Sequence, residues 1–84
     1  MYEIRLTKRV ERQLSKLVPE VQIRLQIAID ALDENPRPDG VKKLKGKDNQ
    51  YRIRVGDYRI IYTIEDQELL IVVVQLGARS DVYK

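Results

Sequence analysis

The sequence contains no cysteine and no histidine. Without a thiol there is no disulfide, no cysteine nucleophile and no thiolate for zinc. Without an imidazole, the commonest general acid/base and the Ser-His-Asp triad are gone as well. Long apolar runs are also missing: the longest, Leu69 to Val74, falls far below the roughly 20 residues of a membrane-spanning helix. The charged N-terminal residues show no signal-peptide pattern, so a soluble, cytoplasmic protein without membrane contact is expected. With 84 residues there is no room for a second core, and one domain spanning 1–84 is expected. A chain this short buries only about 60 to 65% of the surface its unfolded form exposes, so it has little surplus stability or leans on a partner. Any chemistry must come from Lys, Arg, Tyr, Asp, Glu, Ser and the backbone.

What the chain does have is an uneven charge. The whole sequence carries 16 Lys and Arg against 13 Asp and Glu, a formal +3. Residues 42 to 59 hold seven of those bases (Lys42, Lys43, Lys45, Lys47, Arg52, Arg54 and Arg59) against Asp48 and Asp57, a local +5 that leaves −2 on the rest. A block of this sort points to a polyanion, either nucleic acid or an acidic protein. The acids Asp30, Asp33 and Glu34 cluster at a predicted helix end and match no metal-loop spacing, so they read as a solvated end. No metal or other cofactor is expected.

Tyr2 to Leu6 alternates at period two, which predicts a short strand with Tyr2, Ile4 and Leu6 on one face. Thr7 is placed to cap a helix whose apolar stripe is Val10, Leu14 and Leu17. Pro19 suits the first turn of a second helix, with Val21, Leu25, Ala28, Ile29 and Leu32 inward, ended by Asn35-Pro36-Arg37-Pro38. The short connection predicts an antiparallel helical hairpin. Asp39 to Asn49 reads as a basic loop. Beyond it Tyr51, Ile53 and Val55 alternate with Arg52 and Arg54, and Tyr58, Ile60, Tyr62 and Ile64 alternate with Arg59, Ile61 and Thr63. Gly56-Asp57 between them is a type II′ hairpin signal. That turn sets Val55 opposite Tyr58, Arg54 opposite Arg59, Ile53 opposite Ile60, Arg52 opposite Ile61 and Tyr51 opposite Tyr62. A last strand, Leu69 to Leu76, is apolar on both faces, as inside a sheet, and Gly77 ends it. The fold class is α+β in the order β-α-α-β-β-β, the helical hairpin lying on one face of a largely antiparallel twisted sheet.

Placing Arg54 opposite Arg59 is unfavourable for folding by roughly 0.2 to 1 kcal/mol, and a bound anion reverses the sign. Arg52 shares their face about 7 Å along the strand. Guanidinium forks bind phosphate at two points and keep their proton at any working pH. Two readings stay open from spacing alone: a phosphate site, or charges that only cover the solvent face of a one-sided sheet. Lys42, Lys43, Lys45 and Lys47 are read either as a solvated loop or as a loop that tracks a phosphate backbone. Tyr51, Tyr58 and Tyr62 belong to the core, whereas Tyr83 lies outside any periodic face.

The ordered set Lys43-Leu44-Lys45-Gly46, Tyr51-Arg52-Ile53-Arg54-Val55-Gly56-Asp57-Tyr58-Arg59-Ile60-Ile61-Tyr62 and Gly77-Ala78-Arg79-Ser80-Asp81-Val82-Tyr83 resembles the RelE/ParE superfamily of toxins from bacterial toxin–antitoxin pairs. The resemblance covers the whole chain and is strongest for the RelE branch. It implies a microbial-ribonuclease-like fold and a ribosome-dependent endoribonuclease that cuts mRNA in the ribosomal A site by 2′-OH attack, without a metal. It also implies catalytic roles for Arg52, Arg54, Arg59, Arg79 and Tyr83, and ribosomal RNA contacts for the loop around Lys43 and Lys45. The implied partners are the ribosome, mRNA and a RelB-like antitoxin held in a hetero-oligomer. The chain departs from the better-known RelE pattern at both strand-two positions, with arginine in place of lysine; arginine does not readily give up a proton. Other outcomes for the same scaffold are a ParE-like toxin that inhibits DNA gyrase and an inactive homologue that only binds its antitoxin.

Overall fold

The computed structural model describes residues 1–46 and 48–78. Its elements are β1 (Glu3–Leu6), α1 (Lys8–Ser15), α2 (Pro19–Ala31), β2 (Lys42–Lys43), β3 (Gln50–Val55), β4 (Tyr58–Glu65) and β5 (Leu70–Ala78). The five strands form one sheet in the order β1-β5-β4-β3-β2. All neighbours run antiparallel except β1, which lies parallel to β5 with Ile4 opposite Ile71 and Leu6 opposite Val73.

Both helices begin where local chemistry starts them. The Thr7 hydroxyl accepts the Val10 N–H at 3.2 Å, a cap worth about 1 kcal/mol. Pro19 opens α2, where its missing N–H costs nothing. The Gln22 amide donates to the Leu17 carbonyl at 2.7 Å, tying the start of α2 to the end of α1. Helix α1 packs on β5 and β1, and α2 packs on β3. Beneath them Val10, Leu25, Ile29 and Leu32 meet Ile53, Ile60, Tyr62, Ile64, Ile71, Val73 and Leu76 in one buried cluster.

The β3–β4 hairpin has the register its turn predicts, from Val55 opposite Tyr58 to Tyr51 opposite Tyr62. Gly56 takes φ +60° and Asp57 does not take a positive φ, as a type II′ turn requires.

Three elements differ from the sequence expectation. Lys42–Lys43 is an edge strand rather than loop, because β3 has a second edge whose backbone groups need partners; Lys42 pairs with Arg52 and Lys43 with Tyr51, and Leu44 N–H donates to the Gln50 carbonyl at 2.9 Å. Strand β5 runs from Leu70 through Gly77 to Ala78 instead of ending before the glycine, since Gly77 and Ala78 still pair with Arg59 and Tyr58. Its start is displaced because Leu69 closes the Asp66–Leu69 turn with φ 52°, a left-handed conformation that costs a leucine roughly 1 to 2 kcal/mol. Helix α2 ends at Ala31, five residues ahead of Pro36, the first proline expected to stop it, and Leu32 is its buried C-cap.

Strand β5 also carries a bulge. Ile61 faces Gln75 but Tyr62 faces Val73, so Val74 has no residue opposite it. The extra residue lets Val73 and Leu76, three apart, both point at the helices. It also lies where β1 ends, and there the Gln13 side chain of α1 accepts the Leu76 N–H at 3.3 Å.

Candidate functional site

The sheet face away from the helices collects the cations. Its strand register arranges them in two rows. The first is Arg54 on β3, Arg59 on β4 and Gly77 on β5; the second is Lys42 on β2, Arg52 on β3, Ile61 on β4 and Gln75 on β5. Both rows therefore contain a like-charged cross-strand pair, Arg54 with Arg59 and Lys42 with Arg52. Adjacent rows are two residues apart along the strand, about 7 Å. Gly77 contributes no side chain beside Arg59.

These cations differ in exposure. Arg54 is exposed, with its Nε donating to the Gly56 carbonyl at 3.1 Å, and Arg52 is half-buried. Arg59 is only 5% exposed, and its neighbour on the same face, Ile61, is 7% exposed. An open, uniformly basic face, as the alternation suggests, is therefore not what forms. Arg59 sits on the central strand of five, between β3 and β5, and burial strengthens whatever electrostatic interaction its guanidinium makes. Among the described residues, no three His, Cys, Asp or Glu side chains come together in a way that could hold a metal ion.

A family model for the ParE toxin of type II toxin–antitoxin systems matches residues 4–83. The chain belongs to this family. Within the wider RelE/ParE superfamily it is RelE-type. It is 30% identical to the RelE1 protein of Methanocaldococcus jannaschii over 86 aligned positions, covering 99% of this chain and 96% of that one. The RelE chain of the archaeal RelE–RelB complex from Pyrococcus horikoshii superposes with a TM-score of 0.83 at 31% identity, over 93% of this chain and 94% of that one. The isolated RelE toxin of Escherichia coli does so with a TM-score of 0.81 at 28% identity, over 99% of this chain and 92% of that one.

Of the residues that the RelE resemblance marks, the fold of this toxin brings Arg52, Arg54 and Arg59 to one face. Arg79 and Tyr83 lie outside the described residues, as does Lys47. The lysines of the expected basic loop separate. Lys42 joins the arginine face, Lys43 projects to the opposite face with Tyr51, and Lys45 lies in the exposed turn before Gly46, which takes φ +76°.

The toxin has a second polar constellation that no sequence period reveals. Arg37, after α2, pairs with Asp66 in the β4–β5 turn, Nη2 to Oδ2 at 2.9 Å. Its guanidinium lies 5.1 Å from the centroid of the Tyr51 ring, which stacks on Tyr62 at 6.2 Å. The Tyr2 hydroxyl donates to Asp66 Oδ1 at 2.7 Å, and the Tyr62 hydroxyl donates to the Pro36 carbonyl at 2.7 Å. The hydrogen bonds from Arg37 and then Tyr2 hold the Asp66 carboxyl below its ordinary range. Burial pushes the Tyr62 hydroxyl up to about 12. With its charge matched and its tyrosines satisfied, this cluster joins β1, the α2–β2 connection and the β4–β5 turn. Its chemistry is that of a clamp.

On the helix side, a groove of about 470 Å³ opens between α2 and β3, lined by Ala28, Leu32, Ile53 and Val55 among others. Ile23 and Ile27 of α2 are 61% and 65% exposed.

Proposed function

We propose that this toxin is a ribosome-dependent endoribonuclease that cuts mRNA in the ribosomal A site by metal-independent attack of a ribose 2′-OH on the adjacent phosphate. The observation that carries this reading is the Arg54–Arg59 pair, two cations placed opposite each other in a hairpin whose folding does not call for them. A phosphate seated between them turns the repulsion into attraction. In the reaction the 2′-oxygen bonds to phosphorus and the bond to the 5′-oxygen breaks, leaving a 2′,3′-cyclic phosphate and a 5′-hydroxyl. Arg59, backed by Arg79, neutralises charge on the phosphorane-like transition state. Such a preorganised donor contributes about 10² to 10³ in rate. Arg52 and Arg54 bind phosphate oxygens, and Tyr83 stacks on a base or orients the 2′-OH. The 2′-OH proton passes to a group outside the arginine set, since a guanidinium keeps its own, and the ribosome's alignment of the RNA lowers the demand on that step. Lys43 and Lys45 contact ribosomal RNA.

The expected partner is a RelB-like antitoxin, bound in a hetero-oligomer in the cytoplasm. The RelE–RelB complex of the Pyrococcus relative supports this, as does the apolar surface left bare on α2 at Ile23 and Ile27. The chain acts as a single domain.

Cleavage of a programmed ribosome–mRNA complex tests the reading. Arg59→Ala is expected to slow it by about 10² to 10³ while the variant still melts cooperatively. Undiminished cleavage by a folded variant overturns it. The ParE description of the matching family favours a second reading, inhibition of DNA gyrase without nuclease activity. A supercoiling assay run beside the cleavage assay separates the two.

A further inference from the structure

The Arg54–Arg59 row accounts for one phosphate, yet the register builds a second like-charged pair in the next row. Lys42 lies opposite Arg52 on the same face, put there by a strand only two residues long. Lys42 is exposed and, among the described residues, makes no ion pair. The remainder of its row is Ile61 and Gln75, so no carboxylate from β4 or β5 shares that row. The four cations thus descend the sheet diagonally, from Arg59 on β4 through Arg54 and Arg52 on β3 to Lys42 on β2. The two pairs are about 7 Å apart, the rise of two strand residues. That step matches the advance from one phosphate to the next along a single-stranded backbone.

We propose that Lys42 and Arg52 form a second phosphate site, which holds the RNA phosphate next to the one seated between Arg54 and Arg59. The site rests on the nuclease reading for its ligand class but on the register alone for its position. It lays the RNA backbone along β3, from the hairpin turn toward the Lys42 edge. It divides the labour as well: the buried Arg59 row meets the reacting phosphate, and the more exposed Arg52–Lys42 row sets which nucleotide step sits there. Lys43, on the other face, takes no part.

A competing explanation is that Lys42 protects a sheet edge, since lysines on edge strands discourage edge-to-edge pairing between molecules. The two explanations separate in one experiment. The full chain, wild type and Lys42→Gln, is titrated with a four-nucleotide RNA whose attacking sugar is 2′-deoxy, which blocks cleavage. Matched oligonucleotides carry a neutral methylphosphonate at each phosphate in turn. For the wild type, neutralising one phosphate adjacent to the blocked step is expected to weaken binding about tenfold. The slope of log affinity against log salt should become shallower by about 0.7 at the same time. In Lys42→Gln, where Arg52 alone serves the site, that replacement should change both quantities clearly less than in the wild type. The proposal fails if the replacement weakens the variant as much as the wild type, if the wild type ignores it, or if the wild type does not bind the RNA. It fails equally if the variant self-associates while its RNA binding is unchanged, the mark of edge protection. Binding coupled to Lys42 in a protein that proves unable to cut ribosomal mRNA overturns the nuclease reading and leaves the second phosphate site standing.

Discussion

At the Gly56 end of β4, cation faces cation; at the Asp66 end of the same strand, Arg37 faces a carboxylate, a tyrosine ring and a tyrosine hydroxyl. Both ends use arginine, and the physics differs only in what surrounds it. Opposite charges close the Asp66 end into a network that needs no outside partner. At the Gly56 end like charges face each other across β3 and β4, an arrangement that a bound anion favours. A domain of this size has only a few kcal/mol to spare, and the cost of a like-charged pair is tolerable because the clamped end holds β1, the α2–β2 connection and the β4–β5 turn together.

The contrast can be broken by giving the Gly56 end the other end's chemistry. Arg54→Glu turns the cross-strand repulsion into an ion pair with Arg59. Cleavage should fall on the order of 10²-fold, because the phosphate now meets a carboxylate. Thermal unfolding should show a gain of about 0.2 to 1 kcal/mol. A variant that lost both activity and stability would show that the like-charged pair is not a source of frustration.

The converse is to damage the satisfied end. Tyr62→Phe removes the hydroxyl that serves the Pro36 carbonyl, at a cost of about 1 kcal/mol. The same change sharpens the comparison with pH. The folded Tyr62 hydroxyl loses its proton near 12 against an ordinary 10.0. Between those values the unfolded chain releases a proton that the folded chain keeps, so wild-type stability declines as pH rises through the window. Tyr62→Phe should remove that contribution from the alkaline limb, measured by chemical denaturation across the range. Cleavage at neutral pH should stay near wild type for the folded fraction.

The smallest effect belongs to the exposed clamp. Arg37→Ala loses the contact with the Tyr51 ring, about 0.5 to 1 kcal/mol at such a site, or a few degrees in Tm. The Asp66 carboxyl, freed of its cation, should move back toward its ordinary range, with the Tyr2 hydrogen bond still lowering it. Stability held by that carboxylate at neutral pH fades as pH falls from its ordinary 3.8 through the lowered value, and this acid decline should be weaker in the variant. Proton titration by NMR checks both. A drop in cleavage as large as that of Arg59→Ala would mean the two ends are not separable.

The hairpin was legible from sequence because a two-residue turn with glycine first admits one register, and a period of two then assigns every side chain to a face. The helix starts were legible for similar local reasons, at Thr7 and Pro19. Strand β2 was not, since two residues are too few to show any period and their pairing is dictated by a β3 edge fixed elsewhere. The bulge at Val74 was hidden in Leu69 to Val74, where every residue is apolar and a slipped alternation leaves no trace. The burial of Arg59 escaped because alternation names a face but not how closely the neighbouring strands pack around it. Arg37 and Asp66 are 29 positions apart, one after a helix and one in a turn, and nothing periodic links them. The arginine cluster could thus be read from residues alone, whereas the joining of Lys42 to it and the clamp opposite needed the folded chain.

The pairing of β1 with β5 has a consequence in time. Glu3–Leu6 is synthesised well before the strand it lies against, Leu70–Val73. During synthesis, Ile4 and Leu6 wait for a neighbour, and contacts so distant along the chain form slowly. Arg59 likewise lacks its Gly77 flank until β5 has emerged. The sheet is therefore completed only when β5 arrives, and the same step supplies the strand that flanks Arg59.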